Sequence, residues 1–140
     1  MYKKLYEQIN YSFKNEDILD LVFTHKSSGE NNNERLEFLG DAILGAVISE
    51  ELYNRFTNIN EGELTRIRAS LVKGSTLIKK GKELELLGLA KLSKAAKNLS
   101  DLEDSSILGT IFEALVGGIY LDSSWAVSYT HLRAHETVAN

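Results

Sequence analysis

Three carboxylates interrupt an apolar run in Asn33-Glu34-Arg35-Leu36-Glu37-Phe38-Leu39-Gly40-Asp41. On a helix turning roughly 100° per residue, spacings of three and four put Glu34, Glu37 and Asp41 within about 60° of one another. The result is one acidic stripe. Like charges so spaced repel by roughly a few tenths of a kcal/mol per pair when exposed, and by more when partly buried. A divalent cation would relieve that repulsion, and oxygen ligands without Cys or His select a hard ion such as Mg²⁺ or Mn²⁺. Acids in a first helical turn also favour the helix macrodipole, so capping is the plain alternative.

A fourth acid stands in the strongly apolar run Ile107 to Asp122. Glu113 has Gly109 and Gly117 four residues before and after it, with Ser106 and Thr110 close by on the helical wheel. Small neighbours leave room for another helix or a ligand to approach. A buried carboxylate without a partner is costly if ionised, so Glu113 requires one. Two partners are open: a Lys or Arg, or a metal shared with Glu37 and Asp41.

Helices must position these groups. Proline is absent, and apolar residues recur at spacings of three and four, so the chain reads as all-α. The pattern predicts a first helix over Tyr2 to Ile9 and a second over Glu16 to Thr24, capped by Asn15. His25 to Asn33 is polar and Asn-rich and reads as a loop, in which His25 reads as a hydrogen-bonded structural residue. A central helix then runs from Asn33 to Phe56. Leu36, Leu39, Ile43, Ala46 and Val47 give it a core-facing stripe, and Gly45, Ile48, Leu52 and Phe56 continue the acidic line as an apolar one. Such a helix is covered on both sides. Asn60 caps the next helix, with Glu63 placed to complete a capping box. Helical character then continues to Leu84 and breaks at Leu87-Gly88-Leu89.

The 140 residues suit one domain, and no apolar stretch is long enough to span a bilayer. The first residues lack the apolar core of a signal peptide and cysteine is absent, which is compatible with the cytoplasm. A net charge of −4 argues against a protein that holds nucleic acid simply by being basic. Lys79, Lys80 and Lys82, and likewise Lys91, Lys94 and Lys97, read as solvated faces.

The string Asn33 to Ala42 resembles the signature of the ribonuclease III family. Three other segments are similar to elements of that family: Thr24-His25-Lys26-Ser27, Glu61 to Ala69, and Phe112 to Asp122. The resemblance implies an all-α endonuclease domain over residues 1–127 that acts as a homodimer and hydrolyses double-stranded RNA with Mg²⁺, or Mn²⁺ as a substitute. It implies that Glu37, Asp41 and Glu113 hold the metal, with Asp41 and Glu113 catalytic. Glu34 and Glu61 belong to an outer shell or contact RNA or the partner subunit, and Phe38 enters the dimer interface. One position departs from the pattern: the family usually carries an Asp three residues before the second-motif Glu, where this chain has Thr110. That departure leaves a second reading, a weak or inactive helical dimer that binds structured RNA or a ribosomal partner. The resemblance stops after Ser123-Ser124-Trp125. The last helix is expected to be truncated, no double-stranded-RNA-binding domain is recognisable, and residues 128–140 read as a non-native or unrelated tail. His131, His135 and Glu136 within it do not make a zinc site without a third ligand and a packed surround.

Overall fold

The computed structural model describes residues 2–97 and 106–123, and the expectations for Trp125 and the 128–140 tail lie outside them. The described residues are helical and contain no strand beyond one isolated parallel bridge between Thr24 and Lys91. The helices are α1 (Lys3–Ile9), α2 (Glu16–Val22), α3 (Glu34–Arg55), α4 (Glu61–Val72), α5 (Gly74–Glu83), α6 (Lys94–Lys97) and α7 (Ser106–Asp122).

Local chemistry sets most of these boundaries. Asn15 Oδ1 accepts from the backbone N–H of Asp17 at 2.9 Å, and Asn60 Oδ1 accepts from that of Glu63 at 2.9 Å, so both expected caps form. The capping box does not close. The Glu63 carboxylate turns outward to Arg66 instead of reaching back, because an Arg one turn ahead offers a stronger, charged donor. The long helix expected to run on to Leu84 is broken at Lys73, whose backbone is extended at φ −65°, ψ 156°. Lys73 then accepts from the N–H groups of Thr76 and Leu77, starting α5 in a new direction.

The hub of the core is α7 rather than α3. Ile107, Leu108, Ile111, Phe112, Ala114, Leu115, Val116 and Ile119 are all buried, so α7 is covered on nearly every side. Helix α3 lies along it and buries Leu36, Ile43, Leu44, Val47, Ile48 and Leu52. Ala46, expected in the core stripe, is exposed, and Leu44 takes that inward place. Helix α5 packs on another side of α7, where a Cβ on Gly81 would stand 3.0 Å from Leu108. Helix α2 meets α7 at Gly118, where an added Cβ would approach Val22 Cγ2 to 2.7 Å.

Lys80 also departs from the solvated face expected of it. It is buried, with Nζ 3.6 Å from Glu83, while Lys79 and Lys82 stay exposed as expected. A Lys stem can lie along apolar surface as long as its ammonium reaches an acid or water.

Candidate active site

Two glycines let α3 and α7 touch backbone to backbone. A Cβ on Gly40 would lie 1.7 Å from the carbonyl oxygen of Glu113, and one on Gly117 would lie 2.5 Å from that of Leu36. No L side chain fits at either point. Side chains near these two points therefore share one rim: Glu37 and Asp41, three residues before and one after Gly40 on α3, and Thr110 and Glu113, in the two turns before Gly117 on α7.

The four side chains pair across the helices. Thr110 Oγ1 donates to Glu37 Oε2 at 2.8 Å. The Glu113 carboxyl is hydrogen-bonded to Asp41 and is pushed up to about 8, first by burial, then by that hydrogen bond, then by the negative charges of Asp41 and Glu37. Of the two partners open to Glu113, no Lys or Arg is found beside it among the described residues. Its neighbour is another acid, Asp41.

A raised pKa is what carboxylates crowded without a counter-charge must show. A hard divalent cation would supply the counter-charge, and the donor set of Glu37, Asp41 and Glu113 is oxygen only, so residues and ion fit in charge and type. As the side chains stand, no group of three His, Cys, Asp or Glu residues among the described residues already converges to hold an ion. Binding one would require Glu113 to give up its proton.

The other expected site residues fall elsewhere. Glu34 is exposed in the first turn of α3, close enough to His25 for its charge to act on the ring. Glu61 is exposed at the start of α4 and lines a cleft of about 440 Å³ with Ser49, Leu52, Tyr53, Leu64, Thr65 and Arg68. Within one protomer Glu61 thus stands apart from the carboxylate group. Phe38 is 69% exposed and Tyr53 73%, with exposed Ala42 and Ala46 between them along α3.

His25 has the structural role expected of it. Its Nδ1 accepts from the Ser27 backbone N–H at 3.1 Å and lies 2.8 Å from Ser27 Oγ, which caps the turn Lys26–Ser28. Burial, and then the charge of Lys26, lower its pKa. Sequence reading missed what holds this loop. His25 N–H donates to Lys91 O at 3.0 Å, Lys91 N–H to Phe23 O at 2.8 Å, and Ser93 N–H to Ser27 Oγ at 3.0 Å.

Asn33 was missed as well. It is buried, its Nδ2 donates to Val22 O at 3.0 Å and its backbone N–H to Thr24 O at 2.9 Å, so it fixes the start of α3 against the end of α2. Capping passes to Asn32, whose Oδ1 accepts from Glu34 N–H at 3.0 Å. The only signal was an Asn at the first position of the signature string, at the end of a stretch whose composition said loop.

A family model described as Ribonuclease-III-like matches residues 15–135, most of the chain and both acidic elements. The chain belongs to the ribonuclease III family. The Ribonuclease 3 of Vibrio vulnificus (strain YJ016) is 44% identical over 125 residues, covering 89% of this chain and 56% of that protein. The Ribonuclease 3 of Marinomonas sp. (strain MWYL1) is 45% identical over 134 residues, covering 96% and 59%. This ribonuclease III family chain therefore spans a little over half the length of these relatives.

Among solved structures, the nuclease domain of ribonuclease III from Campylobacter jejuni superposes with a TM-score of 0.89 at 35% identity, covering 95% of this chain and 96% of that one. That structure is described as showing flexibility in the region involved in dimer formation. Dicer from Pichia stipitis matches with a TM-score of 0.68 at 25% identity, covering 90% of this chain and 55% of that one. The all-α expectation and the family resemblance both hold. No helix among the described residues is long and apolar enough to cross a membrane.

Proposed function

We propose that this chain is the catalytic part of a ribonuclease III enzyme that hydrolyses phosphodiester bonds in double-stranded RNA during RNA processing. One observation carries the reading: the backbone contact of α3 and α7 at Gly40 and Gly117 brings Glu37 and Asp41 of one helix beside Thr110 and Glu113 of the other. A site that must be neutralised before it can face a polyanion suits a cation-dependent phosphodiesterase.

Glu37, Asp41 and Glu113 would hold Mg²⁺, or Mn²⁺ in its place. When bound, the ion screens the RNA phosphate from the carboxylates and polarises the water and phosphate that react. Asp41 and Glu113 would face the scissile phosphate as the catalytic pair, with Glu113 ionised when it holds the ion. Glu34, in the exposed first turn of α3, and Glu61 act in an outer shell or contact RNA or the partner subunit. The products are 5′-phosphate and 3′-hydroxyl ends.

Phe38 enters a partner subunit's pocket in a homodimer. Its exposure, with small residues beside it, supports that role: a large aromatic left in water on a helix face contributes strongly once covered. The duplex is recognised by shape, phosphates and 2′-hydroxyls. The site of action is the cytoplasm.

A second reading rests on Thr110. With a hydroxyl where the family usually has a carboxylate, and a net charge of −4, the chain could instead be a non-cutting dimer that binds structured RNA or a ribosomal partner. A cleavage assay on a long RNA duplex with Mg²⁺ or Mn²⁺ separates the two. Short duplex products that disappear with chelator are expected. Intact duplex binding with no product at high protein concentration would leave only the second reading.

A further inference from the structure

Thr110 and Glu37 are joined in a way the ligand roles above do not use. In a helix a Thr hydroxyl often turns back to the carbonyl four residues earlier. Thr110 Oγ1 instead crosses from α7 to α3 and donates to Glu37 Oε2 at 2.8 Å. The contact is partly buried, and Thr110 lies on the half-covered edge of an otherwise buried helix. Its branched Cβ limits the rotamers open to it in a helix, and the one adopted aims the hydroxyl at Glu37. Of the two Glu37 oxygens, Oε2 accepts this hydrogen bond and Oε1 does not.

We propose that Thr110 is a positioning residue: its hydroxyl fixes the rotamer of Glu37 so that a single oxygen is presented to a divalent cation. This rests on the metal reading given under Proposed function and adds to it how one of the ligands is oriented. Thr110 is then no ligand itself. It acts as hydrogen-bonded neighbours of metal ligands do, by limiting their orientations before the ion arrives. Glu37 also lies one turn before Gly40, where α3 and α7 touch backbone to backbone.

The test is Mn²⁺ binding to the full chain, read from the electron paramagnetic resonance signal of free Mn²⁺, with no RNA and no turnover involved. Thr110→Ser keeps the hydroxyl and is expected to bind within about twofold of the parent. Thr110→Val keeps the shape, loses the donor and is expected to bind about tenfold more weakly, the lower end of the usual loss for such neighbours. Circular dichroism melts establish that each variant is folded. If Thr110→Val does not fold, Thr110→Cys, with only a weak S–H donor, takes its place with the same expected weakening.

Unchanged or tighter Mn²⁺ binding in the variant lacking the hydroxyl overturns the proposal. Equal weakening in Thr110→Ser overturns it too, since the hydroxyl would not be the cause. A parent that shows no saturable Mn²⁺ binding defeats the metal reading itself and the positioning role with it, a result distinct from the other two.

Discussion

The carbonyl oxygen of Glu113 occupies the place where a Cβ on Gly40 would stand, 1.7 Å from it. The helix carrying Glu37 and Asp41 is thereby pressed against the one carrying Thr110 and Glu113, and the four side chains meet only because of that contact. Gly40→Ala forces the helices apart, since the obstacle is backbone and cannot rotate away. A loss of about 1–3 kcal/mol or more in chemical denaturation is expected. Gly62→Ala is the contrast. Its methyl would meet only Asn60 Oδ1 at 3.5 Å, and a change within about 0.5 kcal/mol is expected.

Glu113→Gln is expected to separate activity from stability. Removing a proposed metal ligand should abolish duplex cleavage. In chelator, the parent Glu113, pushed up to about 8 chiefly by burial, is protonated when folded and ionised when unfolded over the pH range between its ordinary value and about 8. The native state then binds more protons than the unfolded one, so this contribution is full at low pH and fades as pH rises through about 8. Gln does not titrate. Thermal melts from pH 5 to 9 should show Glu113→Gln gaining on the parent as pH rises, and a constant difference would contradict the raised pKa of Glu113.

The acidic elements were legible because the helical period alone places Glu37 and Asp41 on one side of α3, and because an acid inside the apolar run of α7 demands a partner. Which partner was not legible. A salt bridge and a metal shared with Glu37 and Asp41 impose the same local pattern on the sequence of α7, and what faces Glu113 is set by the α3–α7 crossing, which lies outside that pattern. Local rules found the Asn15 and Asn60 caps for the same reason they overreached at Glu63: Asn60 acts within its own turn, whereas the rotamer of Glu63 depends on Arg66. Asn33 illustrates the rest. Its buried bonds run to Val22 and Thr24, a tertiary clamp that composition disguises as loop. Lys73 broke a helix that the apolar spacing continued through, because that spacing is indifferent to one extended residue between two helices.

Asp122 ties the end of α7 to the loop between α1 and α2. Its carboxylate accepts from Tyr11 Oη at 2.6 Å and from the backbone N–H groups of Lys14 and Asn15 at 2.7 and 2.8 Å. Burial alone would raise its pKa, but these hydrogen bonds together outweigh it and lower the group below its ordinary value. A lowered acid stabilises the fold above its unfolded pKa and loses that contribution as pH falls through the folded one. Asp122→Ala is expected to cost about 2–3 kcal/mol at neutral pH, because three donors lose a charged acceptor. In urea titrations the gap between variant and parent should narrow toward pH 3, and a gap that stayed constant would mean the charge contributes nothing.

Phe38 gives the opposite kind of prediction, a large effect on assembly with almost none on the protomer. The ring is 69% exposed, so truncating it removes little that the single chain buries. If it fills a partner subunit's pocket, Phe38→Ala deletes an aromatic anchor, and such anchors commonly contribute about 2 kcal/mol or more to association. Sedimentation velocity across a concentration series should show the dimer dissociation constant rising at least tenfold, while the melting temperature of the protomer, measured where both proteins are monomeric, stays within about 2 °C. Phe38→Glu should be more severe, because a carboxylate entering an apolar pocket must be desolvated without a partner. Unchanged sedimentation in both variants would remove Phe38 from the interface. The apolar side of the dimer would then have to be sought at Tyr53, four turns further along the same helix and 73% exposed.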